Sequence, residues 1–199
     1  MNIGLKYPVC APYSVGKNNT PEYGEGFVMG KGVSIAPTTE NNDAEFWADD
    51  ELYDSETGVS GGTISEEISH MVPKDYATLL GHTYKAKEEN SPEEVVIKDG
   101  DQAIEVGHGY IIVQRYKSEG KTVEKYVAVW YSRVKFSEPN ESEGKTKNKT
   151  IEFSAVSIEG KWSKACDGTY GKKAYCDTED EAKAYLNALA NIKPAAAAN

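Results

Sequence analysis

Carboxylates are the most abundant reactive groups in this chain: 32 Asp and Glu stand against 22 Lys and Arg, for a formal net charge of −10. Ten of them lie between Lys31 and Lys74, a stretch without any Lys or Arg: Glu40, Asp43, Glu45, Asp49, Asp50, Glu51, Asp54, Glu56, Glu66 and Glu67. That segment accounts for the whole net charge, since the rest of the chain balances at 22 against 22. Paired carboxylates can hydrolyse glycosides, but abundance selects no pair, and no member of the block sits in a visibly apolar setting that would raise its pKa. Asp49-Asp50-Glu51 with Asp54 and Glu56 has the charge to hold calcium but not the spacing of a D-x-[DN]-x-[DN]-G loop. The block does produce a one-signed field, which repels polyanions over ~10 Å. A nucleic-acid-binding surface needs the opposite sign. A solvated acidic surface that keeps the chain soluble is the plainer reading.

Other chemistry is sparse. His70, His82 and His108 stand in unrelated segments with no H-x-x-x-H pairing and read as surface or turn residues. Cys10, Cys166 and Cys176 lack metal-ligand spacing. Cys166 and Cys176 flank a turn that would bring them close across a hairpin, as free thiols in a reducing compartment. Gly24-x-Gly26-x-x-x-Gly30 follows no strand and opens no helix, so it fails as a phosphate cradle. No G-x-S-x-G nucleophile elbow occurs. The expectation is no enzyme, no cofactor and no metal.

No apolar h-region opens the chain and no apolar run approaches 18 residues, so neither a cleavable export signal nor a membrane-spanning helix is expected. The hydrophobic fraction is 39%, and 13 tyrosines outnumber four phenylalanines, a choice that suits half-exposed sheets and subunit contacts.

The elements that must position these groups read mostly as strands. Gly26–Ala36 is a glycine-punctuated strand ended by Pro37, and 43–49 is a short apolar patch before a polar loop over 50–62. In 63–69, Ile64, Glu66 and Ile68 fall on one face and Thr63, Ser65, Glu67 and Ser69 on the other, which is wholly polar. Residues 109–118 and 122–137 form a long hairpin about Glu119-Gly120-Lys121. Thr150–Trp162 is a further strand, with a bulge near Gly160. Ser137–Lys149 is a flexible polar loop. Pro73–Leu80 is a short helix stopped by Gly81, and Thr178–Asn191 a second helix opened by the capping box Thr178-x-x-Glu181. The tail from 193 to 199 is expected to be disordered.

Several segments, taken in order, resemble a known family. They are Ile3-Gly4-Leu5-Lys6-Tyr7-Pro8, Tyr23-Gly24-Glu25-Gly26-Phe27-Val28-Met29-Gly30-Lys31, and Asp43-Ala44-x-x-x-Ala48-Asp49-Asp50. Gly61-Gly62-Thr63, Leu79-Leu80-Gly81-His82 and Gly107-x-Gly109-Tyr110 follow. Val129-Trp130-Tyr131-x-x-Val134-Lys135-Phe136-x-Glu138-Pro139 and Ile158-Glu159-Gly160 complete the series. In this order they resemble the major tail proteins of long-tailed, non-contractile bacteriophages. The loop at 137–149, the cysteine-flanked turn at 166–176 and the alanine tail depart from the pattern.

The resemblance implies a mainly β fold, a β-sandwich or small barrel with a flanking C-terminal helix, over residues 1–192, with an N-terminal arm over about 1–22. It implies a structural virion protein, assembled in the host cytoplasm, that stacks as hexameric rings into a tail tube. Its partners would be further copies of itself, a tape-measure protein in the lumen, tail terminator and tail-tip proteins at the ends, and double-stranded DNA in transit without specific binding. No membrane is involved. A tube protein of a contractile injection or type VI-like system and a monomeric β-sandwich binding module are the alternatives. The missing Lys and Arg suggest that Glu40, Asp43, Glu45, Asp49, Asp50, Glu51, Asp54, Glu56 and Glu67 line or rim the channel. Tyr7, Tyr13, Tyr53, Lys145, Lys147 and Lys149 are candidates for ring-to-ring contacts.

Overall fold

The computed structural model describes residues 1–48, 51–118, 120–139 and 155–193, and within 44–56 it describes the backbone only. In chain order the elements are β1 (Asn2–Val15), β2 (Pro21–Tyr23), β3 (Phe27–Val28), β4 (Gly32–Pro37), β5 (Glu40–Ala48), β6 (Glu51–Ile68) and α1 (Pro73–Leu80). There follow β7 (Thr83–Lys85), β8 (Glu94–Val96), β9 (Glu105–Ser118), β10 (Lys121–Phe136), β11 (Val156–Ser163), β12 (Gly171–Cys176) and α2 (Glu179–Leu189). The fold is mainly β with a flanking C-terminal helix.

The β9–β10 hairpin is the spine. Its register runs from Ser118 opposite Lys121, and Gly120 in the turn takes φ +78°. A two-residue hairpin turn needs such a left-handed position, which glycine adopts without strain. The main sheet runs β2-β1-β9-β10-β11-β6-β4, antiparallel at each step. A bulge between Tyr131 and Val134 divides β10's far edge. β12 pairs with residues 126–131 on one side of the bulge, and β11 with 133–136 on the other. β4 curls back beside β1, with Leu5 packed over Gly32, and brings the sheet close to a barrel.

Alternation along the strands fills both faces. Inside the curl lie Cys10, Met29, Ile64, Ile68, Val106, Phe136 and Ile158, joined by Leu79 and Leu80 of α1. Outside, α2 covers Val9, Ala11, Ile111, Ala128 and Trp130 with Ala182 and Leu186. Gly109 permits this contact: a Cβ there would stand 2.7 Å from Trp130 and 2.9 Å from Leu186. α1 occupies the expected residues and ends on Gly81 at φ +75°. At α2, Thr178 Oγ1 accepts from the Glu181 amide at 3.2 Å, while Glu181 Oε2 reaches back to the Asp177 amide at 3.0 Å.

Within the N-terminal segment, Asn2–Val15 form β1, hydrogen-bonded into the sheet along β9. Other expectations require correction. The 43–49 patch and the 50–62 loop are instead the paired strands β5 and β6. Gly26–Ala36 is broken at Gly30, φ +111°, into β3 and β4. Gly160 lies in regular register with Phe136; it is a packing glycine, since a Cβ would meet Phe136 and Val134 at 2.9 Å. Cys166 and Cys176 do not face one another: the strand before Cys176 pairs with β10, and all three thiols are free. Residues 150–154 of the expected strand, most of the 137–149 loop and the tail from 194 lie outside the described residues.

Candidate functional site

Six of the ten carboxylates of the acidic block lie on a projecting arm. β6 is one 18-residue strand with two uses. Residues 62–68 belong to the barrel wall between β11 and β4, whereas 51–61, among the described residues, pair with β5 alone. At ~3.3 Å per residue the outer half of β6 extends roughly 30 Å beyond the wall. Glu40, Asp43 and Glu45 lie on β5, and Glu51, Asp54 and Glu56 on β6, with Ala44 opposite Glu56 and Phe46 opposite Asp54. Glu40 and Asp43 are exposed. Asp49 and Asp50 lie outside the described residues.

The arm is fixed at its root. Trp162 Nε1 donates to the Thr38 carbonyl at 2.9 Å, and Tyr170 donates its hydroxyl to the Val59 carbonyl. Thr38 and Thr63 share a hydroxyl hydrogen bond of 2.6 Å, and Ser60 Oγ donates to the Glu40 carbonyl at 3.0 Å. Gly61, φ +150°, makes the bend between arm and wall. Beside the root a cleft of about 330 Å³ is lined by Thr39, Tyr131, Trp162, Tyr170, Lys172 and Lys173. Trp162 packs against Tyr131 at 5.4 Å and Tyr170 at 5.7 Å between ring centroids, yet it is only 6% exposed. A sugar-stacking platform needs exposed ring faces, and this one is covered.

The polar face of 63–69 forms as expected. Ile64, Glu66 and Ile68 are buried, and Glu67 is exposed, accepting from Ser34 Oγ at 2.8 Å. Thr63, Ser65 and Glu67 stand opposite Lys161, Glu159 and Ser157, so one lysine does share this face.

The tyrosines proposed for ring contacts are engaged within the subunit. Tyr7 donates to Asn187 Oδ1 at 2.8 Å, under the Lys183 ammonium. Tyr13 accepts from the Cys166 amide at 3.0 Å and lies beneath Arg133. The Tyr53 side chain and Lys145, Lys147 and Lys149 lie outside the described residues.

Two histidines are not surface residues. His108 is fully buried, with Cys10 Sγ 3.4 Å from Nδ1 and Glu66 Oε2 3.3 Å from Nε2. This is the connectivity of a nucleophilic triad: thiol, imidazole, carboxylate. Its chemistry is closed off, because all three side chains have no exposed surface and burial, with Glu66 and Asp75 nearby, pushes the Cys10 thiol well up. Both Glu66 oxygens and His108 Nε2 lack a hydrogen-bond partner of good geometry. Glu66 is therefore a carboxyl in an apolar setting, raised by burial to about 8, contrary to the expectation for the block. Its signal was the inward phase of Ile64-x-Glu66-x-Ile68, matched by Val106-x-His108-x-Tyr110 on β9. His82 is clasped between Asp101 and Glu138 at 2.9 and 3.0 Å. His70 remains at the surface. Among the described residues no group of three or more His, Cys, Asp or Glu side chains is arranged to hold a metal ion.

No protein-family model matches this chain, and no curated protein does either. Among the described residues no helix is long and apolar enough to cross a membrane.

Proposed function

We propose that the chain is a tail-tube subunit that polymerises as stacked hexameric rings and forms a negatively lined conduit for genome delivery. The observation that carries this reading is the acidic arm, an extension of a barrel strand roughly 30 Å past its own sheet. Among the described residues the outer half of β6 pairs only with β5, and an isolated two-stranded ribbon is at best marginally stable in water. A neighbouring copy supplies the missing surface, and a head-to-tail contact of that kind generates rings or an open stack. β12 supports the same reading: among the described residues it pairs with β10 alone, and Tyr175 upon it is 70% exposed.

The test is negative-stain electron microscopy of the purified protein across a concentration series. Hollow tubes or six-membered rings are expected. Dispersed monomers at every concentration, even after seeding with tail fragments, would overturn the proposal in favour of a monomeric binding module.

A further inference from the structure

Residues 82–101 leave the barrel between α1 and β9 and carry their own two-stranded sheet, β7 with β8. None of residues 83–101 is buried. This excursion has no hydrophobic core, so the polar contacts at its base are a large part of what holds it. The chief of these is His82. Its Nδ1 lies 2.9 Å from Asp101 Oδ2 and its Nε2 3.0 Å from Glu138 Oε2. Glu138 also accepts from the Tyr76 hydroxyl, and Asp101 Oδ2 from the Lys98 amide at 2.8 Å. One imidazole thus joins the end of α1, the 98–101 turn and the end of β10.

A neutral imidazole has one N–H and one lone pair, whereas ionised carboxylates only accept. Two carboxylates on the two ring nitrogens therefore require the doubly protonated ring. We propose that His82 is a proton-operated latch: as imidazolium it fastens the 82–101 excursion to the barrel, and loss of its proton releases it. The neighbouring elements carry Lys98 and Asp99 beside Asp101 on the turn, Glu138 just after β10, Lys74 and Asp75 beside Tyr76 on α1, and on β7 Tyr84, hydrogen-bonded to Glu93, and Lys85, paired with Glu94. The two carboxylates are the charged groups bonded to the ring, and Tyr76 packs on it at 5.4 Å between centroids. Burial pulls the imidazole down, but the hydrogen bonds to Asp101 and Glu138 outweigh it and hold the ring above its ordinary value. Asp101 is correspondingly lowered, first by the Lys98 amide and then by His82. A raised histidine stabilises the folded state fully below the unfolded value of about 6.5 and loses that contribution as pH rises through the folded value. The latch is closed in acid and opens in base.

Hydrogen exchange of the whole protein at pH 6 and pH 8.5, corrected for intrinsic rates, tests the opening, with nitrogen-detected NMR of the imidazole alongside. Protection within 82–101 should fall at the higher pH while β9 and β10 keep theirs. Each pH unit by which His82 is held above its ordinary value should make opening about tenfold easier once the proton is gone. In H82Q the excursion should be open and indifferent to pH. An imidazole that is a neutral tautomer at pH 6, or protection in 82–101 that is equal at both pH values in the wild type, overturns the latch.

Discussion

Glu66 Oε2 and His108 Nε2 stand 3.3 Å apart, and neither side chain has any exposed surface. Burial raises the carboxyl from 4.5 to about 8. Burial also lowers the imidazole from 6.5 to about 4, against a hydrogen bond to the Val9 backbone that favours the charged ring. Both shifts express the cost of an uncompensated charge inside the barrel. A single proton held by the pair leaves it neutral whichever atom carries it.

This pair sets a stability optimum on the acid side of neutrality. Between pH 4.5 and 6.5 the unfolded chain also carries one proton over these two groups, since its glutamate is ionised and its histidine charged, and stability is flat. Above 6.5 the unfolded histidine loses its proton while the native pair keeps one to about 8. Stability therefore falls as pH rises, by about 1.4 kcal/mol per unit. In E66Q that slope should vanish above pH 6.5, because neither state then releases a proton from these groups. The His82 contribution has the same sign but is common to both proteins. Urea unfolding at pH 6.5, 7.25 and 8 measures the difference, and equal slopes reject the shared proton.

At the arm root the space is already full. A Cβ on Gly62 would come within 2.0 Å of the Thr38 carbonyl oxygen and 2.8 Å of the Trp162 ring, the two groups joined by the Nε1 hydrogen bond. G62A must displace one of them and should cost about 2–4 kcal/mol. Gly58, farther along the arm, has no heavy atom within 4 Å of its Cβ position. G58A should therefore change stability by no more than about 0.5 kcal/mol. Thermal unfolding of both variants checks this, and similar losses in the two would show that the root does not anchor the arm.

Thr178 is a simpler case. Its hydroxyl accepts from the Glu181 amide at the start of α2, the helix that covers Trp130 and Ile111. T178A should cost about 1 kcal/mol, and T178S should be close to neutral. On a domain of this size the alanine variant should melt roughly 2–4 °C lower by calorimetry.

Legibility in the sequence followed how local each determinant is. Thr178-x-x-Glu181 and Pro73 with Gly81 act within one turn of helix, and both helices stand where those residues place them. The β9–β10 hairpin was readable because its turn glycine lies between two β-rich runs. The β5–β6 arm was not, because Asp49-Asp50 carries no turn glycine and Asn41, Asn42, Asp54 and Ser55 give no alternation of apolar and polar. The place of β1 in the sheet was not readable, because what fixes it is pairing with β9 more than 90 residues away. The Glu66–His108 pair joins β6 to β9 across the barrel, and no spacing in one strand reveals a partner in another.

The charge of the arm makes the last prediction. If the chain builds the proposed tube and Glu40, Asp43 and Glu67 face its bore, each ring repeats their charge around the channel, and passing DNA is repelled from the wall rather than held by it. That repulsion is screened by salt, with a range of ~30 Å at 0.01 M and ~3 Å at 1 M. Tails built with E40Q, D43N and E67Q together should assemble to the same diameter, since these side chains are exposed and their replacements keep their shape. Genome ejection through them should be slower at low ionic strength and match the wild type at high ionic strength. A density map of the assembled tube decides the premise independently: carboxylates on the outer surface remove the lumen role and leave the arm as a contact between rings, facing lysines of the next copy.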